Sequence, residues 1–257
     1  MKFLKILIIL VLVPLLFASC ELRSIPALIK GNKMRVKGIT LEYSRTITLT
    51  DDQKTDTFII EANSGNIELK GGQSYDLEVK IWEKYENDVT LSIINGKLVG
   101  KTASGKPYAI ASIKGIIPTD TSLDIETGAG NISINDADGK VLEVDSGAGN
   151  MTFENCNFKT MDFSTGAGNI NVTNIMTDII EMNSGAGNIL VKSVTAIEID
   201  CNTGVGNIDV FNSTAEKADC NSGIGNISVS ESHFDRHEFD TGIGKVNYKD
   251  NGKSVEL

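Results

Sequence analysis

The residues with the most chemical potential form a column of acids at fixed spacing. Asp124, Glu143, Asp162, Glu181, Asp200, Asp219 and Glu238 recur every 19 residues, each four before the first glycine of a Gly-x-Gly motif. A row of carboxylates suits a cation: calcium, a basic peptide or a basic protein. Calcium takes about 6–8 oxygen ligands. One carboxylate per repeat supplies too few, even with Asp145, Asp240 or Glu126 added. The column therefore predicts a cationic-partner face with weak, delocalised Ca2+ binding at most. The plainer reading is a solvated face that blocks side-on aggregation. Like charges on neighbouring strands repel, so the row calls for a reason.

A second column follows the glycines. Asn131, Asn150, Asn169, Asn188, Asn207 and Asn226 each stand three residues after the first glycine. Stacked asparagines can exchange amide hydrogen bonds along a stack, which makes a structural ladder the expectation here rather than a ligand site. Other chemistries have few parts. His233 and His237 are four apart, which could make a metal pair on a helix; near a solenoid turn the spacing reads as incidental. Residues 122–257 contain one arginine, Arg236, and the repeats are too alike to mark one coil as a catalytic site. No catalytic residue, no resident metal and no cofactor is expected. Cys201 and Cys220 are one repeat apart, so their Cα atoms should lie about 4.8 Å apart. Parallel Cβ vectors give a poor disulfide, and buried thiols are expected.

The element that positions all of these is an internal repeat. TGAGNI begins at Thr127, and related strings begin at Ser146, Thr165, Ser184, Thr203, Ser222 and Thr241, without insertion or deletion. Apolar residues stand five and three before the first glycine, as in Leu142 and Val144, and four and six after it, as in Met151 and Phe153. Spacing by two is strand alternation. One such unit cannot bury a core, but stacked copies can, with strands about 4.8 Å apart. The expectation is an all-β parallel β-helix of seven 19-residue coils, right-handed, spanning 122–257. No proline lies after Pro118, as an uninterrupted ladder requires. The residue between the glycines enlarges along the chain, from Ala129, Ala148, Ala167 and Ala186 to Val205, Ile224 and Ile243. It reads as an inward position. Lys245 stands where the seventh asparagine would be and reads as part of a cap. Glycine admits positive φ at the sharp corner.

Residues 41–121 alternate in places, as in Asp76–Trp82, and Ser64-Gly65-Asn66-Ile67 looks like a degenerate corner. They read as an irregular β-rich cap on the solenoid, with a separate β-sandwich as the alternative. Residues 20–121 carry 14 basic and 13 acidic residues, while 122–257 carry 8 and 21. The whole chain has a net charge of −10, which excludes nucleic acid as a partner.

The first residues have a separate role. Lys2 and Lys5 precede an apolar run from Ile6 to Phe17, then Ala18, Ser19 and Cys20. The run is shorter than the ~20 residues a spanning helix needs, and it reads as a signal peptide over 1–19. Leu16–Cys20 resembles a bacterial lipobox, which implies lipidation at Cys20 and a tether over 20–40. The resulting partner is a membrane, through a lipid anchor.

The lipobox, the early β-rich segment, the approach Ile116-Ile117-Pro118 and the Gly-x-Gly-Asn-Ile units together resemble the bacterial putative-adhesin β-strand-repeat family. The resemblance covers roughly 40–257. It implies a non-enzymatic β-helical envelope lipoprotein, at the cell surface or on the periplasmic face, that binds an unknown protein or glycan. An envelope structural or stress-sensing component of the periplasm is the alternative. A calcium-binding RTX-like roll is a further one. Such rolls place an Asp soon after the glycines, where this chain has Asn131-Ile132 and its equivalents.

Overall fold

The computed structural model describes residues 28–29, 33–250 and 253–254. Cys20 and the leader lie outside the described residues. The described chain is all β and holds no helix. Among the described residues no helix is long and apolar enough to cross a membrane.

Each coil follows from the repeat. The strand Ser122–Thr127 ends at the first glycine, the chain turns, and Ile132–Asn135 runs along a second side. A second turn leads into Asp138–Ala148, which forms the third side and continues into the first strand of the next coil. Copies pair in parallel at the repeat spacing: Leu123 opposes Leu142, Leu142 opposes Met161, and Ile132 opposes Met151. The result is a β-solenoid of about seven coils.

The core is a set of apolar columns. Ile134, Phe153, Val172 and Val191 are fully buried in register, as are Val144, Phe163 and Met182. Phe153 and Phe163 stack face to face with ring centroids 3.7 Å apart. The column five before the glycine is buried from Leu123 to Ala218 but exposed at His237 in the last coil. There His237 stacks on Phe239 and meets Tyr248 edge to face, closing the core with aromatic rings.

The corner departs from expectation. The residue between the glycines points outward: Val205, Ile224 and Ile243 are 53%, 49% and 68% exposed. The inward position is instead the Ser or Thr just before the first glycine, buried at Thr127, Ser146, Thr165, Ser184, Thr203 and Ser222. Strand alternation carries that hydroxyl inside, and the turn keeps the next side chains out until Ile132 and its copies. The buried hydroxyls need partners. Those of Ser184, Thr203 and Ser222 donate to the carbonyls of Gly168, Gly187 and Gly206 in the preceding coil, at 2.8–2.9 Å. The two glycines also differ in reason. The first, as at Gly166, leaves no room for a Cβ, which would stand 2.6 Å from the Gly147 carbonyl oxygen. The second adds a positive φ, +143° at Gly130 and Gly149.

Residues Thr57–Ala62 and Asn66–Gly72 extend the stack. They pair in parallel with Ser122–Thr127 and Ile132–Asn135, with the Gly65-Asn66 corner between them. Beyond them the sheet continues through Ala109–Pro118, then antiparallel Tyr75–Glu83, then Tyr43–Asp51 as the outermost strand. These strands join the solenoid by continuous hydrogen bonding. Glu83 is buried in this region. Its carboxylate accepts from Arg45 Nε at 2.8 Å and from the N–H groups of Asn87 and Val89. Burial opposes its charge, but these donors hold its pKa below the ordinary value.

Candidate functional site

The seven acids share one outward column. Asp124 pairs with Glu143, Glu143 with Asp162, Asp162 with Glu181, Glu181 with Asp200, Asp200 with Asp219 and Asp219 with Glu238. All are exposed or half-exposed. Among the described residues none forms an ion pair, whereas Lys217, within electrostatic reach of Asp200 and Asp219, is bonded to Glu198 at 2.6 Å. The stack has an electrostatic cost. Partial burial, and then the neighbouring carboxylates, push the pKa values of Asp162 and Asp200 up; partial burial and then Asp124 do the same to Asp145.

Two residues further on, Asn183, Asn202 and Asn221 bond the column from the same coils, and Asn202 offsets part of that cost at Asp200. Their Nδ2 groups donate to Glu181, Asp200 and Asp219 of the same coils at 2.8, 2.6 and 2.6 Å. The sequence reading did not single out this column. Its signal was present, since Asn repeats two residues after an acid in three successive coils. These amides also form one wall of a shallow groove of about 640 Å³ that runs along the stack over Gly185, Gly204 and Gly223. A strip of carboxylates, amide oxygens and bare backbone can accept hydrogen bonds from a cationic or hydroxyl-rich partner. It offers no convergent acid–base pair. Among the described residues no group of three or more His, Cys, Asp or Glu side chains could hold a metal.

The corner asparagines form a ladder of a different kind from amide exchange. Each Oδ1 accepts the backbone N–H of its counterpart one coil on: Asn131 from Asn150, Asn150 from Asn169, Asn169 from Asn188, Asn188 from Asn207 and Asn207 from Asn226, at 2.8–3.0 Å. Asn66 begins the series and Lys245 ends it through its own N–H. The side-chain oxygen of each corner is therefore engaged within the fold. The amide-to-amide ladder occurs at the other turn instead. Asp136, Asn155, Asn174, Ser193, Asn212 and Glu231 all have φ near +50°. Asn155 donates to Asp136 and Asn174 to Asn155. Asx residues tolerate this left-handed conformation, and their recurrence eight residues after the first glycine was the sequence signal. At the next position Ser213 and Ser232 replace apolar residues, and their hydroxyls accept the N–H groups of Val194 and Ser213.

His233 and His237 project from strand Ile227–Ile243 and do not share a helical face. Cys156, Cys201 and Cys220 are free and buried. Cys201 and Cys220 oppose each other in register. The neighbouring Cys220 thiol and burial raise the Cys201 pKa, and burial pushes that of Cys156 up to about 11.

Fold and surface together define a parallel β-solenoid with an amide- and acid-lined outer face. Residues 42–247 match the Toastrack DUF4097 family, and the chain belongs to it. Among solved structures, a putative adhesin of Bacteroides fragilis is 16% identical, with a TM-score of 0.54, over 79% of this chain and 96% of that one. A putative adhesin of Parabacteroides distasonis is 11% identical, with a TM-score of 0.38, over 79% and 96%. A putative cell adhesion protein of Clostridium sporogenes is 10% identical, with a TM-score of 0.33, over 81% and 99%. No curated protein matches the chain.

Proposed function

We propose that this chain is a non-enzymatic envelope lipoprotein, anchored through Cys20, that displays a rigid acidic solenoid for adhesion to a protein or glycan. The observation that carries the reading is the unpaired acid column beside the Asn-walled groove. It repeats along the stack without the asymmetry a catalytic centre needs. The adhesin names of the structural neighbours agree with a binding role. An extended, repetitive surface favours multivalent contact, in which weak sites add through effective concentration.

Two experiments test it. Protease shaving of intact cells, with lysed cells as control, should remove the 122–257 region from outside. Protection until lysis would refute surface display and move the search to periplasmic partners. Neutralising Asp162, Glu181 and Asp200 together should weaken a captured partner in a salt-dependent way. Unchanged affinity would remove the acid column from the binding site.

A further inference from the structure

The strand order places Tyr43–Asp51 at the end of the stack opposite Lys245. A small antiparallel sheet, Leu28–Ile29, Met34–Val36 and Ile39–Leu41, packs on one corner of that end. Met34 and Leu41 are buried there against Ala109, with Trp82 beside them. The outer surface of this corner is basic and aromatic. Lys33, Arg35 and Lys37 are exposed, and Tyr43 and Tyr85 are 44% and 50% exposed. Lys84 Nζ bonds Glu42 at 2.8 Å, and Lys84 and then Lys33 hold the Glu42 carboxyl below its ordinary value. Tyr85 and Tyr43 lie within electrostatic reach of the Lys84 ammonium. Lys33, Glu42, Tyr43, Lys84 and Tyr85 therefore cluster, with Arg35 and Lys37 on the adjoining small hairpin.

We propose that the corner formed by Lys33, Arg35, Lys37, Tyr43, Lys84 and Tyr85 seats on the anionic headgroups of a phospholipid bilayer and holds the acidic solenoid upright above it. Three observations meet there. Charge is complementary: Lys33, Arg35, Lys37 and Lys84 outnumber the exposed Glu42 and Glu86 at this corner, while residues 122–257 carry 21 acids against 8 bases and are repelled by the same surface. Tyrosine is amphipathic and suits the headgroup boundary. The chain also leaves from this corner, since Leu28 is eight residues from Cys20, a span of at most about 28 Å. Each basic residue near an anionic surface strengthens attraction about fivefold at low salt. The inference rests on the membrane-anchored reading above.

The test uses the full chain on two vesicle types, phosphatidylcholine alone and the same lipid with about one-third phosphatidylglycerol. Flotation on both reads anchoring by itself. Lysine acylation followed by mass spectrometry then reads docking. Lys33 and Lys37 should react about threefold more slowly on the anionic vesicles, while Lys159 and Lys192 react equally on both. The difference should vanish near 0.5 M salt, where the Debye length is about 4 Å. Arg35→Glu with Tyr85→Ser should free Lys33 and Lys37. Tyr43→Ser gives the same reading if that pair unfolds the small sheet. Equal rates on both vesicles would overturn docking and leave anchoring standing. So would protection that survives salt, or protection that the variants leave intact, which would point to a protein partner instead. Failure to float on phosphatidylcholine would sink the anchored reading. Docking would then be refuted only if flotation on anionic vesicles failed too.

Discussion

Replacing Asn169 tests how the coils are held at the corner. Its Oδ1 accepts the Asn188 N–H at 2.8 Å, while its own N–H donates to Asn150. Asn169→Leu removes the first bond and keeps the second. A neutral hydrogen bond contributes about 0.5–1.5 kcal/mol net, and a buried orphaned donor costs about 1–3 kcal/mol. Asn188 is exposed, so water takes part of the load and the lower range applies. The expected loss is about 1 kcal/mol, a roughly fivefold rise in local opening. Repeat arrays need not unfold in one step, so amide hydrogen exchange is the right assay. The Asn188 N–H should exchange about fivefold faster in Asn169→Leu. Asn169→Asp, which keeps an acceptor, should lie nearer the wild type. Ser164→Ala, on the outward groove wall, is the reference. Asn188 exchange equal in Asn169→Leu and Ser164→Ala would refute the ladder as a source of stability.

Other consequences are as direct. Gly166→Ala places a Cβ 2.6 Å from the Gly147 carbonyl oxygen, a backbone group that cannot step aside, so the coils must separate. Urea denaturation should show a loss of about 2 kcal/mol or more, and a loss below about 0.5 kcal/mol would contradict the close stacking. Asp162 and Asp200 have raised pKa values in the fold, so their share of stability is full below the unfolded carboxylate pKa and is lost as pH rises through the folded value. Glu83, Asp120 and Asp136 are lowered and act oppositely, losing stability as pH falls through their folded values. Asp162→Asn with Asp200→Asn should therefore raise the melting temperature at neutral pH and low salt. The gain should shrink as pH falls below about 4 and as salt rises; a lower melting temperature at neutral pH would show that the carboxylates hold something. Cys156, Cys201 and Cys220 should resist a thiol reagent in the native protein and react after denaturation. Rapid native reaction would mean that the coils open there.

The sequence by itself determined the solenoid. A 19-residue period with apolar residues at spacing two admits few alternatives, because a strand pairs with its own copy only when every coil has the same length. The inward columns from Leu123 to Ala218 and from Ile134 to Tyr248 were legible for that reason, as were the outward acids and the degenerate corner at Asn66. Alternation failed at the corners, where the count of two no longer holds. Val205, Ile224 and Ile243 look like core residues in sequence and face solvent, while Thr203 and Ser222 look like surface and lie inside. Only the turn geometry decides this, since the glycine pair rotates the chain out of the pleat before Ile132 and its copies return to it. Partners of polar groups were likewise beyond the sequence. Whether the Asn188 N–H meets an amide oxygen or a carbonyl depends on where the kinked backbone points. The basic corner at Lys33 and Lys84 joins residues about fifty apart. Tertiary packing alone brings them together, because charge pattern along a chain carries no information about which strands become neighbours.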